Sequence, residues 1–180
     1  MKKPAILLFI VVSLSVVFGL VRKKKSEGLG RVKGLRKPPK IRIVFSRKLR
    51  KNQLQKITDS EDVVAVLREV WSSQIDVREE FVALLLNNQN QVLGYHVLGN
   101  GGIDSTTADV RLLLAVTLTS LSTRIIIAHN HPAGTLSPSQ SDIQITRTIQ
   151  QAVKFHNIEL LDHIILTRKG HYSFANEGNL

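Results

Sequence analysis

Residues 129 to 142 read HNHPAGTLSPSQSD: two histidines one residue apart, a proline, small polar residues and a lone aspartate. The chain holds no cysteine, so thiol nucleophiles, disulfides, zinc ribbons and iron–sulfur clusters are excluded, and a metal would have to take His, Asp or Glu ligands. Two imidazoles and a carboxylate are the ligand set that a catalytic zinc prefers, with a fourth position left for water. Such a water has its pKa lowered toward about 7, and hydrolysis still needs a base to take its proton and pass it to the leaving amine. Glu79 and Glu80, at the head of an apolar run, are the candidates; alternation sends them to opposite faces, and spacing does not choose between them. In the bland reading the histidines bond loop carbonyls and Asp142 is only a first-turn acid, worth about 0.3–1 kcal/mol through the helix dipole.

The chemistry depends on the elements that carry these residues. RIIIAH, residues 124 to 129, reads as a buried central strand, and a backbone that stays extended past its end would project His129 and His131 to one side. Ser137 and Gln140 have capping-box spacing with Pro138 at the first helical position, which predicts a helix from 138 to about 156. Ser139 and Asp142 would share a face of it, and the short loop with Pro132 and Gly134 could fold that face back over the strand end.

Upstream, Ser60 is positioned to cap a helix with Val63, Val64, Leu67, Val70 and Trp71 at three- and four-residue spacing, Trp71 being most simply a core residue. EEFVALLL (79–86) and VLGYHVL (92–98), joined by NNQN, read as a β-hairpin. A glycine-rich stretch, GNGGIDSTTAD, lacks a phosphate-cradle pattern, and Asp109 then caps a helix over 110–121 with Leu112, Leu113, Val116 and Leu118 mostly inward. LLDHIILT (160–167) is a strand, followed by a turn at RKG and a short YSF strand. Alternating helices and strands imply an α/β sheet with helices packed on it. His163, beside Asp162 in that late strand, reads as a satisfied core histidine, with support of a ligand as the alternative; His96, His156 and His171 lack convergent partners.

A length of 180 residues, 43% hydrophobic, suits one domain plus extensions. The net charge of +11 is uneven: residues 22–51 hold fourteen Lys or Arg against the single acid Glu27, whereas residues 52–180 hold nine basic and thirteen acidic side chains. The basic run, with Gly28, Gly30, Gly34, Pro38 and Pro39, reads as a linker; IRIVF (41–45) would add an edge strand. Such a run suits nucleic acid or anionic lipid, although without interleaved aromatics a solvated arm is the plainer reading.

AILLFIVVSLSVVFGLV, residues 5–21, carries no charge and would span about 25 Å as a helix, near the roughly 30 Å of a hydrocarbon core. It is followed by RKKK rather than a cleavage site, which favours a membrane anchor with the domain on the cytoplasmic side of the inner membrane. In a third reading translation starts further down and the segment is never made. The expected organisation is thus 1–21 anchor or signal-like segment, 22–57 basic linker, and 58–180 domain.

With Glu79, His129, His131, Ser139 and Asp142 in view, the chain resembles the JAMM (JAB, MPN+) metalloprotease-type domains, whose pattern is a distant Glu followed by HxHPx6Sx2D. REEFVALLLNNQNQVLG, IIIAHNHPAGTLSPSQSD and LLDHIIL are similar, more narrowly, to the JAB domain of bacterial RadC-like proteins, over about residues 60–180. The resemblance implies a JAB/MPN-type mixed β-sheet flanked by helices, and a zinc held by His129, His131 and Asp142. Its Arg78-Glu79-x-Phe81 match selects Glu79 as the base and leaves Glu80 a surface acid; Ser139 would steady the tetrahedral intermediate. The implied reaction is hydrolysis of an amide or isopeptide bond in a peptide or protein substrate. RadC-like proteins carry a helix-hairpin-helix region before this domain, and the stretch before residue 58 leaves no room for one, which weakens an inherited DNA-repair role.

Two readings from other classes compete. One is a nucleic-acid or protein adaptor working through residues 22–51, which the complete ligand set argues against. The other is a nuclease, suggested by the letters H-N-H; in HNH nucleases those residues are dispersed over a ββα motif, whereas here they are contiguous at a strand end.

Overall fold

The computed structural model describes residues 53–101 and 108–180. The anchor-like segment 5–21, the basic run 22–51, IRIVF and the middle of the glycine-rich stretch lie outside the described residues. No helix among the described residues is long and apolar enough to cross a membrane.

Three helices and five strands follow in the order α1 (Ser60–Val70), β1 (Glu80–Leu86), β2 (Val92–Asn100), α2 (Val110–Thr119), β3 (Arg124–Asn130), α3 (Gln140–Lys154), β4 (Glu159–Leu166) and β5 (His171–Ser173). The strands form one mixed sheet in the order β2-β1-β3-β4-β5, with β3 and β4 parallel and every other pair antiparallel. The β3–α3–β4 unit is the crossover that a parallel pair requires.

EFVALLL of β1 is buried at every position because its two faces serve two different cores. Val82, Leu84 and Leu86 join Ile126, Ala128, Ile164 and Leu166 under Val63, Val64 and Leu67 of α1. Phe81, Ala83 and Leu85 join Ile125, Ile127 and Leu160 under Leu113 of α2 and Ile149 and Val153 of α3. A strand covered on both sides loses the apolar–polar alternation of a half-exposed one. The β1–β2 hairpin closes as its sequence predicts: Asn87 Oδ1 accepts from the N–H groups of Gln89 and Gln91, and Asn90 takes the left-handed conformation at φ 58°.

Three local expectations are corrected. Helix α1 is capped by Asp59, not Ser60: the Asp59 side chain accepts from the Asp62 N–H, and its charge suits the positive helix end. Helix α3 starts at Gln140, not Pro138, because Ser139 and Asp142 form both bonds of a capping box and leave Pro138 just outside. In α2, Leu112 and Leu118 are exposed; the helix buries Leu113 and Thr117, whose hydroxyl is satisfied by donating to the Leu113 carbonyl. Trp71 ends α1 and packs part-buried against the first core.

Candidate metal centre

The end of β3 carries the first histidine. His129 lies on the α3 face of the sheet, fully buried, with its ring stacked on Phe81 at 5.9 Å. Although β3 ends at Asn130, the His131 N–H still bonds Leu166 O at 3.0 Å, so the extended backbone continues and His131 returns to the same side. A turn closed by Gly134 N–H on His131 O, with Gly134 at φ 80°, brings the Thr135 carbonyl within 2.7 Å of His131 Nδ1. A conformation of that sign suits glycine.

Asp142 is delivered by the first turn of α3. Its Oδ2 accepts from the backbone N–H of Ser139 at 2.7 Å and from the Ser139 hydroxyl at 2.7 Å, while the Asp142 N–H donates back to Ser139 Oγ at 3.2 Å. The capping box that starts the helix therefore also aims the carboxylate. His129, His131 and Asp142 form the one metal-competent cluster of three such side chains among the described residues.

The donor atoms fit a metal. His129 Nε2 stands 2.9 Å from His131 Nε2 and 3.1 Å from Asp142 Oδ1, and His131 Nε2 lies 3.5 Å from Asp142 Oδ2. Ligands about 2.0–2.1 Å from a tetrahedral ion are separated by about 3.3 Å, a value these three distances bracket. Proton placement agrees. His131 Nδ1 faces a carbonyl, which can only accept, so the proton is on Nδ1 and the Nε2 lone pair faces the cluster.

His129 is set by a longer chain of bonds. The Thr146 hydroxyl donates to the Asp142 carbonyl, so its oxygen accepts from His163 Nδ1–H at 2.6 Å. His163 Nε2 is then the acceptor for His129 Nδ1–H at 2.8 Å, which leaves His129 Nε2 unprotonated. Two lone pairs and a carboxylate aimed at one point repel one another unless a cation lies between them, either a proton or a metal.

The electrostatics agree. Burial opposes charge on Asp142, but where protons rather than a metal fill the cluster, hydrogen bonds from the His129 and His131 rings and from Ser139 outweigh it and hold the carboxyl far below the usual carboxylate range. The bond to Asp142 raises the His131 pKa against the effect of burial. His163 is pushed well below the ordinary histidine value, first by burial and then by the neighbouring His129, which keeps it neutral.

Glu79, half-buried just ahead of β1, lines a cleft of about 190 Å3 together with Phe81, His129, Ser141, Asp142 and Ile145. Of the two acids, Glu79 lines this cleft and Glu80 does not. Glu80 is not a surface acid: it is 4% exposed and accepts from the Ser72 hydroxyl at 2.8 Å and from Arg78 Nη2 at 3.2 Å. It falls on the α1 face, where the interior must pair it.

The residue that sequence reasoning placed too far from the chemistry is His163. It is a satisfied core histidine, sandwiched with Phe174 at 4.7 Å, and it also touches a candidate ligand. The available signal was a histidine within the apolar run of a strand parallel to β3. His171 lies 3.7 Å from Glu61, away from the cluster.

Comparison with known proteins accords with this geometry. The family model of the RadC-like JAB domain matches residues 57–179. A UPF0758 protein of Flavobacterium johnsoniae is 37% identical over 87% of this chain and 70% of its own length. A UPF0758 protein of Porphyromonas gingivalis is 43% identical over 57% of this chain and 46% of its own. One from Streptococcus suis is 31% identical over 85% and 62%. The chain thus spans from about half to about two thirds of the length of these curated relatives. The matched span holds both cores and the whole cluster, and the chain belongs to the RadC-like JAB domain family.

Proposed function

We propose that this chain is a zinc-dependent peptidase or isopeptidase that hydrolyses an amide bond in a peptide or protein substrate. The observation that carries the reading is the convergence of His129 Nε2, His131 Nε2 and an Asp142 oxygen at the edge of a cleft that Glu79 lines together with His129 and Asp142. His129, His131 and Asp142 would hold the ion, and zinc in such a site supplies Lewis acidity, which acidifies water and polarises a carbonyl.

The remaining work belongs to the chain. Glu79 takes the proton of the attacking water and passes it to the departing amine nitrogen as the C–N bond breaks. Phe81 and Ile145 give the cleft apolar walls that exclude bulk water and strengthen electrostatics inside. Ser139, at the positive end of α3, is assigned the developing oxyanion, for which its hydroxyl exchanges its bond to Asp142.

The test is a pair of variants. Glu79→Gln is expected to keep its zinc and lose peptide hydrolysis, whereas Asp142→Ala loses both. Full activity in Glu79→Gln would overturn the mechanism.

A further inference from the structure

The residue between the two histidines has no part in the hydrolytic reading. Alternation along β3 turns Asn130 away from the ligand face, to the side that α1 covers, where it is completely buried. Its carboxamide is satisfied by one segment of chain. Oδ1 accepts from the Glu80 N–H at 2.7 Å, and Nδ2 donates to the Ile75 carbonyl at 2.6 Å and the Arg78 carbonyl at 2.9 Å.

Two of those partners flank Glu79. The Arg78 carbonyl belongs to the peptide group before the Glu79 Cα, and the Glu80 N–H to the one after it. Peptide groups are planar, so anchoring both fixes the two backbone dihedrals of Glu79 and with them the direction in which its side chain leaves the backbone. The Gly101 N–H adds a third hold, on the Glu79 carbonyl at 2.8 Å.

We propose that Asn130 is a positioning residue that couples base to metal: it is carried by the strand that bears His129 and His131, and it clamps both peptide groups of Glu79. The inference rests on the reading of Glu79 as the base. It explains why an asparagine suits this place, since the site requires one acceptor and two donors in a plane, which neither aspartate nor leucine supplies.

The experiment compares the 180-residue chain with Asn130→Ala and Asn130→Asp. Asn130→Asp is near-isosteric and keeps the bond from Glu80 while losing both donations, which guards against a misfolded Ala variant. Amide hydrogen exchange read by mass spectrometry is expected to rise at least about tenfold in residues 75–80 while α3 and β4 stay protected. Zinc affinity, from competition with a chromogenic chelator, is expected to stay within about threefold of wild type. On a peptide that the wild type cleaves, kcat is expected to fall about 100-fold with KM little changed, as befits a misplaced base.

Unchanged exchange in residues 75–80 would overturn the proposal. So would a loss of zinc as complete as that of Asp142→Ala, because Asn130 would then support the strand rather than the base. If the wild type cleaves nothing, the hydrolytic reading fails, while exchange and zinc affinity still decide the clamp.

Discussion

Replacing His163 with phenylalanine removes the acceptor behind His129 and leaves the new ring among Phe81, Phe174 and the Thr146 hydroxyl. The wild-type ring lies against Phe174 at 4.7 Å and Phe81 at 5.7 Å, so a phenylalanine keeps the aromatic packing. Thr146 keeps its bond to the Asp142 carbonyl and is not stranded. The His129 Nδ1–H, however, loses its partner in a fully buried place, at a cost of about 1–3 kcal/mol. The protein escapes that cost by moving the proton to Nε2, the atom that must bind the metal, where the ion has to displace it.

Either way the penalty falls on metal binding, and about 1.4 kcal/mol per tenfold converts it to a loss of about 5- to 150-fold in zinc affinity. Partners placed behind ligands elsewhere contribute about 10- to 100-fold, within that range. Competition with a chromogenic chelator measures the change, with the thermal midpoint of the metal-free protein as a control for folding. His163→Gln, which returns a carbonyl oxygen as acceptor, is expected to recover most of the affinity. Wild-type affinity in a well-folded His163→Phe protein would refute the argument that this chain of bonds sets the His129 tautomer.

Two further outcomes follow from the same site. Because the folded-state pKa of His131 is raised above 6.5, its contribution to stability is complete below that value and is lost as pH rises through the folded pKa. Calorimetry of the metal-free protein should therefore show a lower melting temperature at about pH 8.5 than at about pH 6.5, while the stabilisation by added zinc grows over the same interval as proton competition fades. Ser139→Ala removes the cap of α3 and a bond to Asp142, so urea unfolding should show a loss of about 0.5–2 kcal/mol with unchanged m-value, accompanied by weaker zinc binding.

The hairpin, the buried strand that carries His129, and the helix and strand that follow it are legible from residue type and periodicity, because each is fixed by local pattern plus burial; the parallel pairing of β3 with β4 is not. The convergence of His129, His131 and Asp142 is legible for the same reason, since a strand end and a helix start both have defined side-chain directions. The start of α3 is less so, since Ser137 with Gln140 and Ser139 with Asp142 offer the same spacing, and only the two reciprocal bonds of Asp142 distinguish them. The inward set of α2 misleads because Thr117 is buried through its bond to Leu113 O while Leu112 and Leu118 face outward. His163 and Glu80 are the instructive pair. The neighbours of His163 come from the pairing of strands distant in sequence, and those of Glu80 from the irregular segment before β1, relations that no local periodicity contains.

The most direct measurement is the metal content, by mass spectrometry, of the 180-residue chain beside its Asp142→Ala variant, both purified without chelator. The arrangement of His129, His131 and Asp142 predicts about one zinc per chain, lost in the variant. A wild-type chain that binds no metal even when zinc is offered would contradict the account at its centre.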